Sequence, residues 1–204
     1  MIAKLPSEIV VELYERHADR WDALRGAALP EKGWMDRFLS HLPVQDASIL
    51  DIGCGAGQPV ARYFIDKGCH VTGIDTSPSL LAKAQSRFPA HSWHLADMRH
   101  FSPPGAFHGL VAWDSFFHLT PEDQTPMFDL FRRAAAPGAV LMFTSGPGYG
   151  EAIGKFEGEP LYHGSLDADM YRRLLRDNGF GILDHVVEDP DCGKRTVWLA
   201  QNAG

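Results

Sequence analysis

The sequence has 204 residues, of which 45% are hydrophobic and 22% charged, and its formal net charge is −7. This composition is typical of an ordinary globular domain, whereas the acidic balance argues against a chain built to bind nucleic-acid phosphates or anionic lipid. The cysteines, Cys54, Cys69 and Cys192, lack the spacing of a zinc site, so we expect no metal and a reducing, cytoplasmic location. Charged residues are spread through 1–22, and we expect neither a signal peptide nor a membrane span there.

The N-terminal part of the sequence predicts two helices. Apolar residues recur at helical spacing over 7–25, where Ser7 is a suitable N-cap. A second helix is predicted over 31–41. We interpret 1–42 as a helical cap and 43–204 as the main domain, which together form one structural unit.

From residue 48 onward, short apolar strands alternate with helices. This order predicts an α/β fold with a doubly wound, mainly parallel seven-stranded sheet. The last two strands follow each other without a helix, which predicts an antiparallel C-terminal hairpin. The glycine-rich stretch over 145–160 is assigned neither strand nor helix. The predicted strands are 48–52, 70–74, 93–96, 110–113, 139–144, 180–187 and 194–200, and the predicted helices are 58–67, one beginning at 78, 121–135 and 167–177.

A glycine loop follows the first predicted strand in the sequence ILDIGCGAGQP, residues 49–59. Glycine permits positive φ and a close approach of the backbone to a ligand. The spacing is G-x-G-x-G, and Gln58 stands where the dinucleotide fingerprint G-x-G-x-x-G requires its third glycine. Asp51 precedes the loop, and a carboxylate there suits a cationic ligand better than a pyrophosphate. S-adenosylmethionine, which carries an ammonium and a sulfonium but no phosphate, is therefore favoured over a dinucleotide.

Two further acids follow later strands. Asp75 ends the second predicted strand, where a carboxylate can accept hydrogen bonds from the ribose of either kind of ligand. Asp97 follows the third strand, where it can accept a hydrogen bond from an adenine amino group. The fourth strand then ends in WDSFFHL, residues 113–119.

These segments resemble, in order and spacing, the motifs of the class I S-adenosylmethionine-dependent methyltransferases of the small-molecule type, which have a Rossmann-like fold. The segments are ILDIGCGAGQP, VTGIDTSP, LADM and AWDSFFHL. The resemblance implies that the glycine loop holds the methionine moiety, with Asp51 acting on its ammonium. It also implies that Asp75 holds the ribose, that Asp97 and Met98 hold the adenine, and that Trp113 lies along the cofactor. The cofactor-binding residues implied in this way are Asp51, Gly53, Cys54, Gly55, Gly57, Asp75, Thr76, Asp97, Met98 and Trp113.

Residues near the fourth strand are candidates for acting on the acceptor. His118 is a candidate general base because it lies where this family places its acceptor substrates, although a helix-start or core histidine fits the sequence equally well. Asp114 beside it is interpreted as a structural carboxylate. Arg99 and His100 are interpreted as surface residues.

The acceptor pocket is expected to come from segments 1–35, 114–120 and 145–165. Tyr14, Trp21 and Trp34 are interpreted first as core residues. The resemblance, in a family that often closes N-terminal helices over the cofactor, implies that one of them also contacts the ligand. Ordinary loop packing is also favoured for Tyr162 and His163. Aromatic residues in the three segments indicate a partly apolar pocket: Trp21, Trp34, Phe116, Phe117, Tyr149, Phe156 and Tyr162.

The sequence therefore predicts an S-adenosylmethionine-dependent methyltransferase that releases S-adenosylhomocysteine and acts on a small molecule. Two alternatives stay open: methyl transfer to a macromolecule such as RNA or protein, and a non-catalytic cofactor-binding protein. A dinucleotide oxidoreductase is disfavoured by Gln58. No nucleic-acid partner and no membrane are expected, and the acceptor and the oligomeric state are left open.

Overall fold

The computed structural model describes residues 6–26 and 28–204. The helices are α1 (Pro6–Arg16), α2 (Ala18–Arg25), α3 (Lys32–Ser40), α4 (Val60–Asp66), α5 (Pro78–Arg87), α6 (Pro121–Ala134) and α7 (Ala168–Asp177). The strands are β1 (Ser48–Ile52), β2 (His70–Asp75), β3 (Ser92–Leu95), β4 (Phe107–Ala112), β5 (Ala135–Ser145), β6 (Gly150–Phe156), β7 (Glu159–Ser165), β8 (Phe180–Asp189) and β9 (Arg195–Asn202). Within the described residues, no helix has the length and apolar character that crossing a membrane requires.

Seven strands form one sheet in the order β3-β2-β1-β4-β5-β9-β8. The pairs among β1 to β5 are parallel, whereas β9 is antiparallel to both β5 and β8. The predicted doubly wound, mainly parallel seven-stranded sheet with an antiparallel C-terminal hairpin is thus confirmed. The strand order reverses between β1 and β4, and sheets of this kind bind ligands beyond the carboxyl ends of the strands at that point.

Helices cover both faces of the sheet, as the alternation of strands and helices predicts. On one face, α6 and α7 contribute Phe128, Phe131 and Tyr171 to the core. On the other, α3 and α4 contribute Phe38 and Phe64. Strand β1 lies between these two clusters and is buried over four of its five residues. The loop that follows β1 therefore starts from a rigid position.

Side-chain caps fix where three of the helices begin. The side chains of Ser77, Thr120 and Asp167 each accept a hydrogen bond from a backbone N–H in the first turn of α5, α6 and α7. Pro78 and Pro121 occupy the first helical positions, where no N–H is needed. The starts that the sequence predicts for these helices agree with the structure to within one residue.

The predicted helix over 7–25 is interrupted at His17, whose backbone leaves the helical region with φ −109° and ψ 24°. The two resulting helices contact different parts of the protein: α1 lies against β7 and α2 against α5. Ion pairs on this side join the Arg16 and His17 side chains to Glu159, at 2.5 and 2.7 Å. Together α1 and α2 cover the carboxyl end of the sheet, a position that the sequence pattern alone does not give.

Two strands that the sequence does not predict begin within the glycine-rich stretch. Strands β6 and β7 form an antiparallel hairpin outside the main sheet. The turn consists of Glu157 and Gly158, with φ of 49° and 83°, as expected for a two-residue hairpin turn. Another difference is that β5 begins at Ala135 rather than at residue 139, immediately after α6.

Candidate functional site

A cavity lies at the carboxyl ends of β1, β2 and β4, with α1 and α2 above it. All the residues predicted to bind the cofactor line this cavity except Gly57, and so does His118. Gly57 packs closely against Trp93, and a Cβ at this position would be only 3.1 Å from the Trp93 ring. Residues from four separate motifs therefore come together at one place in the fold.

The glycine loop is held tightly between β2 and the segment after β4. The backbone N–H groups of Gly53 and Cys54 both donate to the Ile74 carbonyl, at 2.8 and 3.0 Å. Gly53 has φ +78°, and a Cβ at this position would be 2.3 Å from the Cβ of Ser115. A side chain is therefore excluded at Gly53 by both conformation and space.

Asp75 closes the loop from the end of β2. Its two carboxylate oxygens accept hydrogen bonds from the Gly55 and Ser77 backbone N–H groups, at 2.8 and 2.9 Å. Burial raises the pKa of Asp75, and these backbone hydrogen bonds partly oppose that effect. Each oxygen retains a lone pair with which a ligand hydroxyl could bond. Thr76, the next residue, also lines the cavity.

Asp51 is a buried acid with a strongly raised pKa. The residue is 4% exposed, and burial together with the nearby Asp75 charge raises the pKa of its carboxyl to about 7, although the Arg25 charge acts in the opposite direction. A cation beside Asp51 would favour its ionised form. Cys54 lies in the same buried environment, which raises the pKa of its thiol well above the usual value, so a reactive thiolate is disfavoured there.

Asp97 and Met98 line the far end of the cavity, beyond β3. The Asp97 carboxylate is already bound by Arg99, whose Nη2 donates to it at 2.6 Å, and Arg99 also pairs with Asp123 at 3.0 Å. Burial tends to raise the pKa of Asp97, but the hydrogen bonds and charge of Arg99 bring it below its usual value. Arg99 is exposed, as expected for a surface residue, and in addition its side chain orients Asp97 and lines the cavity.

Trp113 lies at the end of β4 and is buried. Its indole Nε1 has no hydrogen-bond partner among the described residues. An unpaired buried donor is unfavourable, and the same residue also lines the cavity. The neighbouring Asp114 has a positive φ of 50° and is held by Arg195 through two hydrogen bonds of 2.7 Å, so a structural role for Asp114 is consistent with its contacts.

His118 ends a short 3-10 turn after β4 and uses both ring nitrogens. Nδ1 lies 2.8 Å from the Tyr162 carbonyl oxygen, and Nε2 lies 3.0 Å from the Tyr14 hydroxyl. Because a carbonyl only accepts, Nδ1 carries the proton and Nε2 accepts from Tyr14. Burial, and to a smaller extent His163, lowers the pKa of His118 to about 4. The ring is therefore neutral at physiological pH, with its Nε2 lone pair on the side of Tyr14.

A second cavity lies between the β6–β7 hairpin, the end of β5 and the residues before β9. Tyr14, Trp21 and Asp114 line both cavities and so form a shared wall. His163 lines the second cavity, in contrast to the loop packing expected for it. Of the other predicted aromatic residues, Phe117 and Tyr149 line this cavity, whereas Trp34, Phe116, Phe156 and Tyr162 are in hydrophobic clusters.

Two arginines at these cavities were not identified as functional from the sequence: Arg25 lines the first cavity and Arg195 the second. Tyr14, one of the aromatic residues considered for ligand contact, lines both cavities. None belongs to a motif, and an arginine at the end of an amphipathic helix is ordinarily a surface residue. Only the placement of α2 and β9 relative to β4 brings these side chains to the site.

Comparisons with known proteins agree with this geometry. The profile of a family described as "Methyltransferase domain" matches residues 49–138. The malonyl-[acyl-carrier protein] O-methyltransferase of Enterobacter lignolyticus is 33% identical over 111 residues, which are 54% of this chain and 43% of that protein. The trans-aconitate 2-methyltransferase of Paracidovorax citrulli is 34% identical over 107 residues, 51% of this chain and 41% of that protein. The chain thus spans less than half the length of these curated relatives.

Among solved structures, the magnesium protoporphyrin IX methyltransferase of Synechocystis PCC 6803 with bound S-adenosylmethionine superimposes with a TM-score of 0.76. The two proteins are 17% identical, and the superposition covers 99% of each chain. At this identity the likeness establishes the fold, which is that of the Rossmann-like methyltransferases. The family match over residues 49–138, the motif order and the relatives together support a class I S-adenosylmethionine-dependent methyltransferase. The assignment made from the motifs, and S-adenosylmethionine as the cofactor of this class, are confirmed.

Proposed function

We propose that this protein transfers a methyl group from S-adenosylmethionine to a small-molecule acceptor bound in the second cavity. The observation that carries the proposal is the pair of cavities that share Tyr14, Trp21 and Asp114 as a wall. One cavity is lined by the residues of the cofactor motifs, and the other by aromatic and polar side chains. A donor and an acceptor could therefore meet at this wall.

The chemistry of the first cavity fits the cofactor. Asp51 is buried, and a cationic ligand would favour its ionised form. Asp75 keeps lone pairs for two hydroxyl groups, and Trp113 also lines the cavity. In this proposal Asp51 binds the ammonium, Asp75 and Thr76 bind the ribose, and Asp97 and Met98 bind the adenine. The remaining cofactor contacts are assigned to Gly53, Cys54, Gly55 and Trp113, with Gly57 supporting the loop.

The sulfonium supplies an activated methyl group, so the protein's main task is alignment and exclusion of water. Helices α1 and α2 cover the cavity and are held from both sides. Arg87 binds Asp22 with two hydrogen bonds of 2.6 Å, and Arg20 binds Glu157 on the hairpin at 3.0 Å. These contacts place Tyr14 and Trp21 over the point where the two cavities meet.

A hydroxyl or protonated amine acceptor must lose a proton, and we assign its removal to His118. Tyr14 lines the second cavity and donates to Nε2 of His118 at 3.0 Å. The proton can therefore pass from the acceptor to the Tyr14 oxygen while Tyr14 passes its own proton to Nε2. The Tyr162 carbonyl would stabilise the imidazolium through Nδ1–H. A carboxylate acceptor would need no base at all.

The names of the relatives support a small acceptor group. Those described above are named for malonyl-[acyl-carrier protein] and for trans-aconitate. The first of these acceptors is carried by a protein, so methyl transfer to a protein-borne group stays the second candidate. The net charge of −7 disfavours RNA, and the three free cysteines support a cytoplasmic location.

The proposed function is tested by calorimetric titration with S-adenosylhomocysteine, with NAD titrated in parallel. We expect binding of S-adenosylhomocysteine alone, and its loss in Asp75→Ala. Binding of NAD instead would contradict the proposal, and binding of neither would favour a non-catalytic protein. Once an acceptor has been found by screening, the rate at which S-adenosylhomocysteine forms in its presence measures turnover.

The role of His118 is tested by His118→Ala and Tyr14→Phe. For an acceptor that must lose a proton, both variants are expected to lower kcat by about 10²- to 10⁴-fold, with little change in affinity for S-adenosylhomocysteine. His100→Ala, an exposed histidine near the same cavity, is the matched control. Full turnover of His118→Ala across the pH range would exclude His118 as the base.

A further inference from the structure

The second cavity has room for a small organic molecule. Its volume is about 590 Å³, which lies within the range of about 300–1,000 Å³ that is usual for small-molecule sites. A Cβ added to Gly148 or Gly150, both on its wall, would meet no neighbouring atom within 4 Å. The backbone of this part of the wall therefore borders open space, and the side chains around it decide which chemistry the cavity accepts.

Aromatic rings line the same cavity. Phe117 and His163 lie against each other, with ring centroids 5.1 Å apart and ring planes inclined by 41°. Burial lowers the pKa of His163, so its ring carries no charge at neutral pH. Tyr149 is 69% exposed, a large exposed fraction for an aromatic residue. Rings of this kind gain favourable contacts when a flat apolar ligand covers them.

The charged residues on the wall differ in whether they already have partners. Arg195 donates two hydrogen bonds of 2.7 Å to Asp114, so these two charges compensate each other. Glu151 on the hairpin accepts a hydrogen bond of 2.7 Å from the Tyr162 hydroxyl. Lys194 is exposed and lines the cavity. Within residues 6–26 and 28–204, its ammonium has neither a hydrogen bond nor an ion pair.

The backbone at Lys194 is held in place. Its N–H donates to the Asp189 carbonyl at 2.8 Å, which closes the loop between β8 and β9. Lys194 has a positive φ of 58°, a conformation that residues other than glycine adopt only occasionally. Lys194 thus brings an uncompensated positive charge to the cavity from a fixed loop.

We infer that the acceptor is a small aromatic molecule that carries a carboxylate. Its ring packs against Phe117, His163 and Tyr149, and its carboxylate is bound by the Lys194 ammonium. An ammonium–carboxylate hydrogen bond is stronger than a neutral one, so this pair anchors the molecule while the methyl-accepting group lies at the wall shared with the first cavity. The inference rests on the proposed function, because it names the occupant of the proposed acceptor cavity.

The test is calorimetric titration of the protein saturated with S-adenosylhomocysteine, using three probes. Hydrocinnamate has a ring and a carboxylate, hydrocinnamamide keeps the ring without the charge, and hexanoate keeps the charge without the ring. Hydrocinnamate should bind about tenfold more tightly than either of the others. Lys194→Gln should weaken hydrocinnamate binding about tenfold and leave hydrocinnamamide binding unchanged, and Lys194→Arg should restore most of the loss. Tyr149→Ala should weaken both aromatic probes but not hexanoate.

The matched control is Lys155→Ala, which replaces an exposed lysine of β6 that lines neither cavity. It should leave all three probe affinities unchanged. Every variant should keep the wild-type affinity for S-adenosylhomocysteine, which shows that it is folded.

Four results would overturn the inference: no binding of any probe, equal affinities for hydrocinnamate and its amide, tighter binding of hexanoate, or full hydrocinnamate binding by Lys194→Gln. With S-adenosylhomocysteine still bound, these results leave the proposed cofactor intact. If the wild-type protein does not bind S-adenosylhomocysteine, the proposed function is wrong and the inference falls with it.

Discussion

Replacing Asp51 by asparagine removes a buried carboxylate and keeps its volume. In the free protein, burial and the Asp75 charge raise the pKa of Asp51 from 3.8 to about 7, which corresponds to roughly 4 kcal/mol in favour of the protonated form. A carboxyl with a raised pKa contributes stability that is fully present below its unfolded pKa and is lost as the pH rises through its folded pKa. Between about pH 4 and pH 8, the free energy of unfolding of the ligand-free wild-type protein should therefore fall by up to roughly 4 kcal/mol. The Asp51→Asn variant should not show this loss.

Cofactor binding should show the opposite dependence on pH, because the ammonium binds the ionised carboxylate. Below pH 7 the wild-type protein must first lose a proton, so its Kd for S-adenosylhomocysteine should be about tenfold higher at pH 6 than at pH 8. The ligand's own amino-acid groups do not titrate in this range. Asp51→Asn should bind more weakly at pH 8 and show little dependence on pH.

The assay is calorimetric titration at several pH values, combined with chemical denaturation of the ligand-free protein. At pH 7 about half of the wild-type molecules should release a proton on binding, which titrations in buffers of different ionisation enthalpy detect. Asp66→Asn, an exposed aspartate of α4 with a side chain 61% exposed, is the control and should behave as wild type. A wild-type Kd that is constant from pH 6 to pH 8 would show that the ligand ammonium does not bind the Asp51 carboxylate.

Two further predictions concern the framework of the site. Gly53→Ala would place a Cβ 2.3 Å from the Cβ of Ser115. It should lower the free energy of unfolding by about 2–4 kcal/mol, measured by thermal unfolding, and abolish cofactor binding. The control is Gly105→Ala, whose Cβ would have nothing within 4 Å, and equal melting temperatures for the two variants would contradict the prediction. Gln124→Leu removes the acceptor of the Tyr171 hydroxyl bond of 2.6 Å and the donor to two backbone carbonyls. It should cost about 2–5 kcal/mol in denaturant unfolding, and an unchanged midpoint would exclude this role for the buried network.

The amino-acid sequence was enough to predict the main sheet and the residues that line the first cavity. Both depend on signals that are local in the chain: an apolar strand such as Ser48–Ile52, a glycine loop after it, and a cap such as Ser77 before a proline. In a parallel sheet the carboxyl ends of strands lie at one edge. A residue close after the end of a strand, such as Gly53 after β1 or Asp97 after β3, is therefore placed as soon as the strand is recognised.

The second cavity, in contrast, depends on contacts between distant parts of the chain. The β6–β7 hairpin is stabilised by packing under α1 and by the Glu157–Gly158 turn, and its glycine-rich sequence has little strand propensity of its own. The contact between Tyr14 and His118 joins residues 104 positions apart, and the placement of Arg25 depends on how α2 lies over the sheet. No local pattern encodes such contacts, because they arise only when separate elements are brought together by burial of their apolar faces.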